Sequence, residues 1–252
     1  DPLWSRGLGD VYKRQGMNRR LSMAIAALGL LGAVGQAWGQ SKEVVIGYQD
    51  MVVPWRYAQE TQEVEKRTGY KVTYRKLGSG AEVVRALASG AIHIGEAGSS
   101  PFASALSQGV PIQVFWILDN INDAEALVAR NGSGVNTLAD LKGKKIGLPF
   151  VSTTHFHALV ALQDAGVDPK SVQILNLRPP EILAAWARGD IDATFVWDPA
   201  LAEVKKNGKV IVTSGQIAAK TGKATFDGLA VSRDFALSLI HISEPTRPER
   251  IS

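Results

Sequence analysis

The residues best suited to chemistry lie in the stretch LPFVSTTHF, where Ser152, Thr153, Thr154 and His155 separate two apolar runs. A strand predicted over KKIGLPF ends just before them, and a helix predicted over THFHALVALQDAG begins among them. The start of a helix leaves backbone N–H groups without partners and carries a partial positive charge, so it receives an anion well. Hydroxyl side chains at that place add donors. A second turn, AGSSPF, repeats the design, with Ser99 and Ser100 after a strand and Pro101 suited to the first helical position. The two starts could face one another across a cleft. Each has a plainer reading as an ordinary Ser/Thr helix cap.

The same residues also invite a hydrolase reading. Ser152, His155 and His157 lie within about one helical turn, and Asp164 lies further along. A nucleophile, base and orienting acid must form a chain of hydrogen bonds, and Asp164 is too far along the helix axis to close one. The chain has neither a G-x-S-x-G elbow nor a phosphate loop. An enzyme is therefore not expected.

Composition narrows the field further. The chain has 252 residues, 45% of them hydrophobic and 21% charged, enough for one large core or two smaller ones. No cysteine is present, which excludes disulfides, thiolate metal sites and cysteine nucleophiles. With only four histidines, no metal site and no cofactor are expected.

The termini look composite. From Met17, MNRRLSMAIAALGLLGAVGQAWGQ has a basic start, an apolar run and small residues before Gln40, the three parts of a secretory signal peptide. A membrane span would need about 20 apolar residues, and this run is shorter and broken by glycines. Export to a bacterial periplasm is expected. Residues 1–16 precede the natural-looking start and read as foreign. So does LSLIHISEPTRPERIS, residues 237–252, which shows no helical or strand period. With these segments set aside, acids and bases nearly balance, so the basic pI gives no reason to invoke nucleic acid.

Between them, strands and helices alternate. EVVIGYQ, KVTYRKL, AIHIGEAG and PIQVFWIL read as strands, with helices over TQEVEKRTGY, closed by Gly69, over Ala81 to Ser89, and from Pro101 to Gln108. The alternation restarts at EALVAR and runs through TLADLKG, KKIGLPF, THFHALVALQDAG, VQILNL, PPEILAAWARG and IDATFVW. This predicts mostly parallel sheets with helices on both faces, arranged as two α/β lobes. The first lobe covers residues 40–122 and the second 123–224, and residues 225–236 return to the first.

The succession GYQ, RALASG, GSSP, EALV, PFVSTTH, PPEILAAWARGDIDATFVWDPAL and VSRDFA, from Val44 to Ala236, resembles the periplasmic substrate-binding proteins of taurine ABC importers. It is more distantly similar to binding proteins for alkanesulfonates, nitrate and thiamine precursors. The resemblance implies a type II periplasmic-binding fold, with ligand held in a cleft at the hinge of two lobes. It also implies a monomer that delivers taurine or a related small sulfonate to an ABC permease and its ATPase. A transcriptional regulator on the same fold is disfavoured by the signal peptide.

Taurine has a sulfonate at one end and an ammonium at the other. The resemblance therefore implies hydroxyl donors for the sulfonate at Ser99, Ser100, Ser152, Thr153 and Thr154. For the ammonium it implies Glu125 and Asp227, on the two strands that cross between lobes. Trp197 would offer an aromatic face or a wall, and Gln49 and His155 match the pattern. Trp186, inside a helix, reads as core packing. Asp198 stands where the pattern has a small residue, and reads as a turn acid before Pro199 or as a further ammonium partner. The family pattern continues past RDFA with helices that complete the first lobe, so the C-terminal part of that lobe is expected to be missing here.

Overall fold

The computed structural model describes residues 42–243. The extension read as foreign at 1–16, the signal peptide expected at 17–39 and the end of the tail at 244–252 lie outside the described residues. Among the described residues, no helix is long and apolar enough to cross a membrane.

The chain begins with β1 (Glu43–Tyr48), two short helices, α1 (Arg56–Glu60) and α2 (Glu63–Thr68), and β2 (Lys71–Lys76). Then come α3 (Gly80–Ala88), β3 (Ile94–Gly98), α4 (Ser99–Ser107) and β4 (Ile112–Asn120). The second series is β5 (Glu125–Arg130), β6 (Lys145–Leu148), α5 (Thr153–Asp164), β7 (Gln173–Asn176) and α6 (Pro179–Arg188). It continues with β8 (Ala193–Trp197), α7 (Ala200–Lys205), β9 (Gly208–Thr213) and α8 (Ser214–Thr221). The last elements are β10 (Phe226–Ser232) and α9 (Arg233–Ser243).

These strands form two five-stranded sheets, in the orders β2-β1-β3-β10-β4 and β7-β6-β8-β5-β9. In the first, β1 pairs parallel with β2 and β3, whereas β10 is antiparallel to β3 and β4. The second repeats this, with β6 parallel to β7 and β8, and β5 antiparallel to β8 and β9. Half of the neighbour pairings are thus antiparallel, where the alternation predicted mostly parallel sheets. The reversed strands are the two by which the chain enters a sheet from the other one. A strand reached through a helical crossover returns in the same direction, but one arriving from the other sheet starts at the opposite end.

This arrangement brings chemistry to one place. The carboxyl ends of β1, β3, β6 and β8 and the amino ends of β5 and β10 all point to the space between the sheets, the usual ligand position in open α/β sheets. The two connections meet there, where Ile121 N–H donates to the Thr225 carbonyl (3.2 Å).

Burial follows the strand period. The first five residues of β5 are all buried, and alternate side chains enter different cores. Leu127 packs with Ile146, Leu162 and Phe195, while Val128 packs with Ile182, Trp186 and Leu201. Trp186 is a core residue as expected, and its Nε1 donates to Asn207 Oδ1 (2.6 Å). The first sheet packs Val83, Leu87, Ile92 and Phe102 against Ile112 and Ala230.

Two local expectations are corrected. Helix α4 starts at Ser99, so Pro101 is its third residue and not its first. This is tolerated because N–H groups throughout the first turn have no helical acceptor. The tail, read as aperiodic from Leu237, is helical to Ser243. RDFALSLIHIS contains no glycine or proline, so no helix breaker interrupts it.

Candidate binding site

A cavity of about 210 Å³ lies where those strand ends converge. Three helix starts reach it, through Gly80 of α3, Gly98 and Pro101 at α4, and Ser152 and Thr153 at α5. Glycine at two of these positions allows a close approach. A Cβ at Gly98 would lie 2.6 Å from Thr153 Cγ2 and 3.4 Å from Asp227 Oδ1, and one at Gly80 would overlap the Pro101 ring. Thus the starts of α4 and α5 do face one another.

The hydroxyls of STTH, expected as donors to a ligand, are engaged within the protein. Ser152 Oγ accepts the His155 N–H (3.0 Å) and donates to the Pro149 carbonyl (2.5 Å). Thr154, fully buried, lies 2.7 Å from Ser152 Oγ. Thr153 Oγ1 donates to Glu125 Oε1. What the helix start offers a ligand is therefore the backbone N–H of Thr153 and Thr154. Ser99 and Ser100 do not line the cavity; Ser99 Oγ accepts the Phe226 N–H at 3.4 Å.

The other expected residues divide in the same way. Gln49 lines the cavity and donates from Nε2 to the Glu96 carbonyl (3.2 Å). Trp197 also lines it, and its Nε1 donates to the Asp50 carbonyl (3.0 Å), tying the end of β8 to the loop after β1. Asp198 lines it while accepting the Ala202 N–H (2.9 Å), which makes it a cap of α7. His155 stays outside the lining. It accepts the Val151 N–H (3.2 Å) and stacks on Phe150 at 4.7 Å, bracing the turn where Val151 takes a φ of 60°.

Glu125 and Asp227 both line the cavity, and Asp119, which the sequence reading passed over, joins them. Strand β4 runs beyond the predicted PIQVFWIL to Asn120 and sets Asp119 opposite Asp227 in register. Asp119 Oδ1 is buried with no hydrogen-bond partner. Its signal was an acid directly after an apolar strand. Ser214 carries no signal of its own in the sequence; its Oγ lies 3.0 Å from Glu125 Oε2. The capping box formed by Thr213 and Gln216 marks that helix start in the sequence.

Crowding these acids away from water raises their pKa values. Burial lifts Glu125 to about 7, against its hydrogen bonds with Thr153 and Ser214. Burial first, then the charges of Glu125, Asp119 and Glu96, hold Asp227 well above the usual range. Asp119 is raised by burial. Beneath them burial lifts Glu96 to about 7, although Arg56 Nη2 pairs with it at 2.8 Å.

A pH dependence follows. With folded pKa values above the unfolded 4.5 of a glutamate, the native state binds more protons than the unfolded chain between about pH 7 and pH 4.5, so these groups add stability as pH falls. His155 and His157, lowered by burial, act oppositely below their unfolded value of 6.5, but they are outnumbered by the raised carboxyls. The thermal midpoint of the ligand-free protein is expected to be about 2–4 °C higher at pH 5.5 than at pH 7.5. Scanning calorimetry at both values checks it, and a lower midpoint at pH 5.5 would show that the acids are not desolvated.

The family profile described as "ABC transporter, phosphonate, periplasmic substrate-binding protein" matches residues 47–241. The chain belongs to this family. It is a family of periplasmic binding proteins and not of enzymes, and the hydrolase geometry is indeed broken, since Asp164 Oδ2 pairs with Lys220 Nζ (2.5 Å). The chain is 45% identical over 197 residues to the taurine-binding periplasmic protein of Escherichia coli K12, an alignment that covers 78% of this chain and 61% of that protein, less than two thirds of its length. Two solved structures share its fold. The alkanesulfonate-binding protein of Xanthomonas axonopodis pv. citri bound to MOPS aligns with a TM-score of 0.71 at 26% identity, over 79% of this chain and 68% of that one. The periplasmic aliphatic sulphonate binding protein of Escherichia coli aligns with a TM-score of 0.63 at 26% identity, over the same shares. These likenesses establish the periplasmic-binding type of α/β fold.

Proposed function

We propose that the protein binds taurine in the periplasm as the substrate-binding component of an ABC importer. The observation that carries this reading is the make-up of one cavity, in which helix starts meet Asp119, Glu125 and Asp227 and, among the described residues, no Lys, Arg or His lines the wall. A simple anion would find N–H donors there but also uncompensated carboxylates. A zwitterion satisfies both, its sulfonate on the N–H groups at the helix starts and its ammonium on the acids. Met51, Val52, Ile121 and Trp197 are apolar enough to enclose the two-carbon link.

Residues 40–122 with 225–236, and residues 123–224, act in this reading as two lobes hinged at the paired connections. Ligand touching both lobes favours the closed form, and closure presents the surface that the permease, with its ATPase, recognises on a monomer. Similarity to the taurine-binding protein of Escherichia coli supports taurine over other aliphatic sulfonates.

Calorimetric titration with taurine, ethanesulfonate and sulfate tests the proposal. Taurine is expected to bind at least 100-fold tighter than ethanesulfonate, a difference of about 2.7 kcal/mol, and sulfate not to bind measurably. Equal affinity for taurine and ethanesulfonate would remove the ammonium subsite and leave a general sulfonate carrier.

A further inference from the structure

Behind the cavity, four groups form one hydrogen-bonded line. Glu125 Oε2 lies 3.0 Å from Ser214 Oγ, which lies 2.7 Å from His157 Nδ1, and His157 Nε2 lies 2.9 Å from the Lys223 carbonyl. Glu125, Ser214 and His157 are all buried. A line so enclosed must account for every proton.

The Lys223 carbonyl only accepts, so His157 Nε2 must carry a hydrogen. One proton must then lie between Nδ1 and Ser214, and one between Ser214 and Glu125, yet the serine owns a single proton. Two assignments complete the line. Either Glu125 is a neutral acid that donates to Ser214, which donates to a neutral imidazole, or Glu125 is a carboxylate and His157 an imidazolium. Both contain the same number of protons, one more than a carboxylate beside a neutral histidine.

We propose that Glu125, Ser214 and His157 share this proton, which rests on Glu125 in the free protein and passes to His157 when an ammonium group enters the cavity. The transfer balances without a co-reactant. The Glu125 Oε2–H bond breaks as its proton moves to Ser214 Oγ, and the serine's own proton moves to His157 Nδ1. Ser214 and His157 are positioning residues for ligand selection, since they let Glu125 be neutral when the cavity is empty and charged when a cation is present.

The surroundings support each resting place. In the empty cavity Glu125 is faced by the carboxyls of Asp119 on β4 and Asp227 on β10, which oppose a further negative charge. Thr153 Oγ1 donates to Oε1 and leaves Oε2 to hold the hydrogen. His157 meets Ser214 from α8, the Lys223 carbonyl and the Phe156 ring. Burial raises the pKa of Glu125 and lowers that of His157, which favours the neutral pair until a cation changes the balance.

The inference rests on the ammonium subsite proposed above, and its test separates the two. Imidazole ¹⁵N NMR at pH 6.5 is expected to show His157 neutral and protonated at Nε2 in the free protein, and protonated on both nitrogens once taurine is saturating. A free-protein imidazole protonated at Nδ1 alone, or an imidazole unchanged by bound taurine, would overturn the relay. Failure of taurine to bind calorimetrically would instead overturn the functional reading and the ligand-driven transfer with it, while the free-protein tautomer still decides the resting place.

A variant provides a second readout. Ser214→Ala cuts the line, so its Glu125 must lose the proton to solvent. Calorimetry in buffers of different ionisation heat is expected to show one more proton released per taurine than in the parent protein at pH 6.5, with affinity about tenfold weaker. Equal proton release in a folded variant would count against the relay.

Discussion

Asp227→Asn is expected to weaken taurine binding by at least 100-fold while leaving ethanesulfonate unchanged or tighter. Asp227 stands on β10 at the connection between the sheets, in register with Asp119 on one side and Gly98 on the other. It therefore adjoins Asp119 and the helix start of α4, and it feels the charge of Glu125. Truncating one partner of a buried charge pair costs about 2–5 kcal/mol, because the remaining charge loses its partner away from water. The amide keeps the size of the side chain, so loss of packing is not expected to contribute. For ethanesulfonate the sign differs, since removing one negative charge relieves repulsion on an anion that has no amine to offset it. Calorimetry with both ligands checks this, and a parallel loss of both would show that Asp227 holds the cavity's shape and not the ammonium.

Gly98→Val is expected to weaken taurine and ethanesulfonate alike, by about 10- to 100-fold, the equivalent of an overpacking cost of about 1–3 kcal/mol. Gly98 has a φ of −71° and a ψ of 166°, which any residue adopts, so the backbone does not demand glycine. The demand comes from across the cavity, where Thr153 Cγ2 would meet the new Cβ at 2.6 Å. A valine would force the starts of α4 and α5 apart and move their N–H groups off a common anion. Circular dichroism should remain native, because the change lies at the cavity and not in any of the cores. Unaltered sulfonate affinity in the variant would show that the two helix starts do not act together.

The two variants probe different levels of legibility. Asp227 is legible in the sequence only through resemblance, since an acid in TFDGLAV is by itself an unremarkable strand-end residue. Gly98 carried no signal, because glycine after a strand is common. Asp119 lies just past Leu118, where the apolar pattern of β4 stops. Its partnership with Asp227 is a pairing across more than 100 positions of chain that no local pattern announces. Ser152 shows the reverse case. Its place at a helix start was readable from PFVSTTH, but its hydroxyl proton goes to Pro149 and its lone pair to His155. A good cap consumes the donors that had suggested a ligand site.

Sequence alone was enough for much that depends on near neighbours: the strands and helices that alternate between Lys71 and Trp197, the stop at Gly69, and the core place of Trp186. Apolar period, capping chemistry and glycine's freedom at positive φ act within a few residues, so they can be read along the chain. Folding in three dimensions settled the reversed entry of β5 and β10, the meeting of Asp119, Glu125 and Asp227 in one cavity, the spending of the STTH hydroxyls and the line from Glu125 to His157. These depend on which distant atoms are brought within hydrogen-bond reach and which are cut off from water, and both follow from the packing of the two sheets.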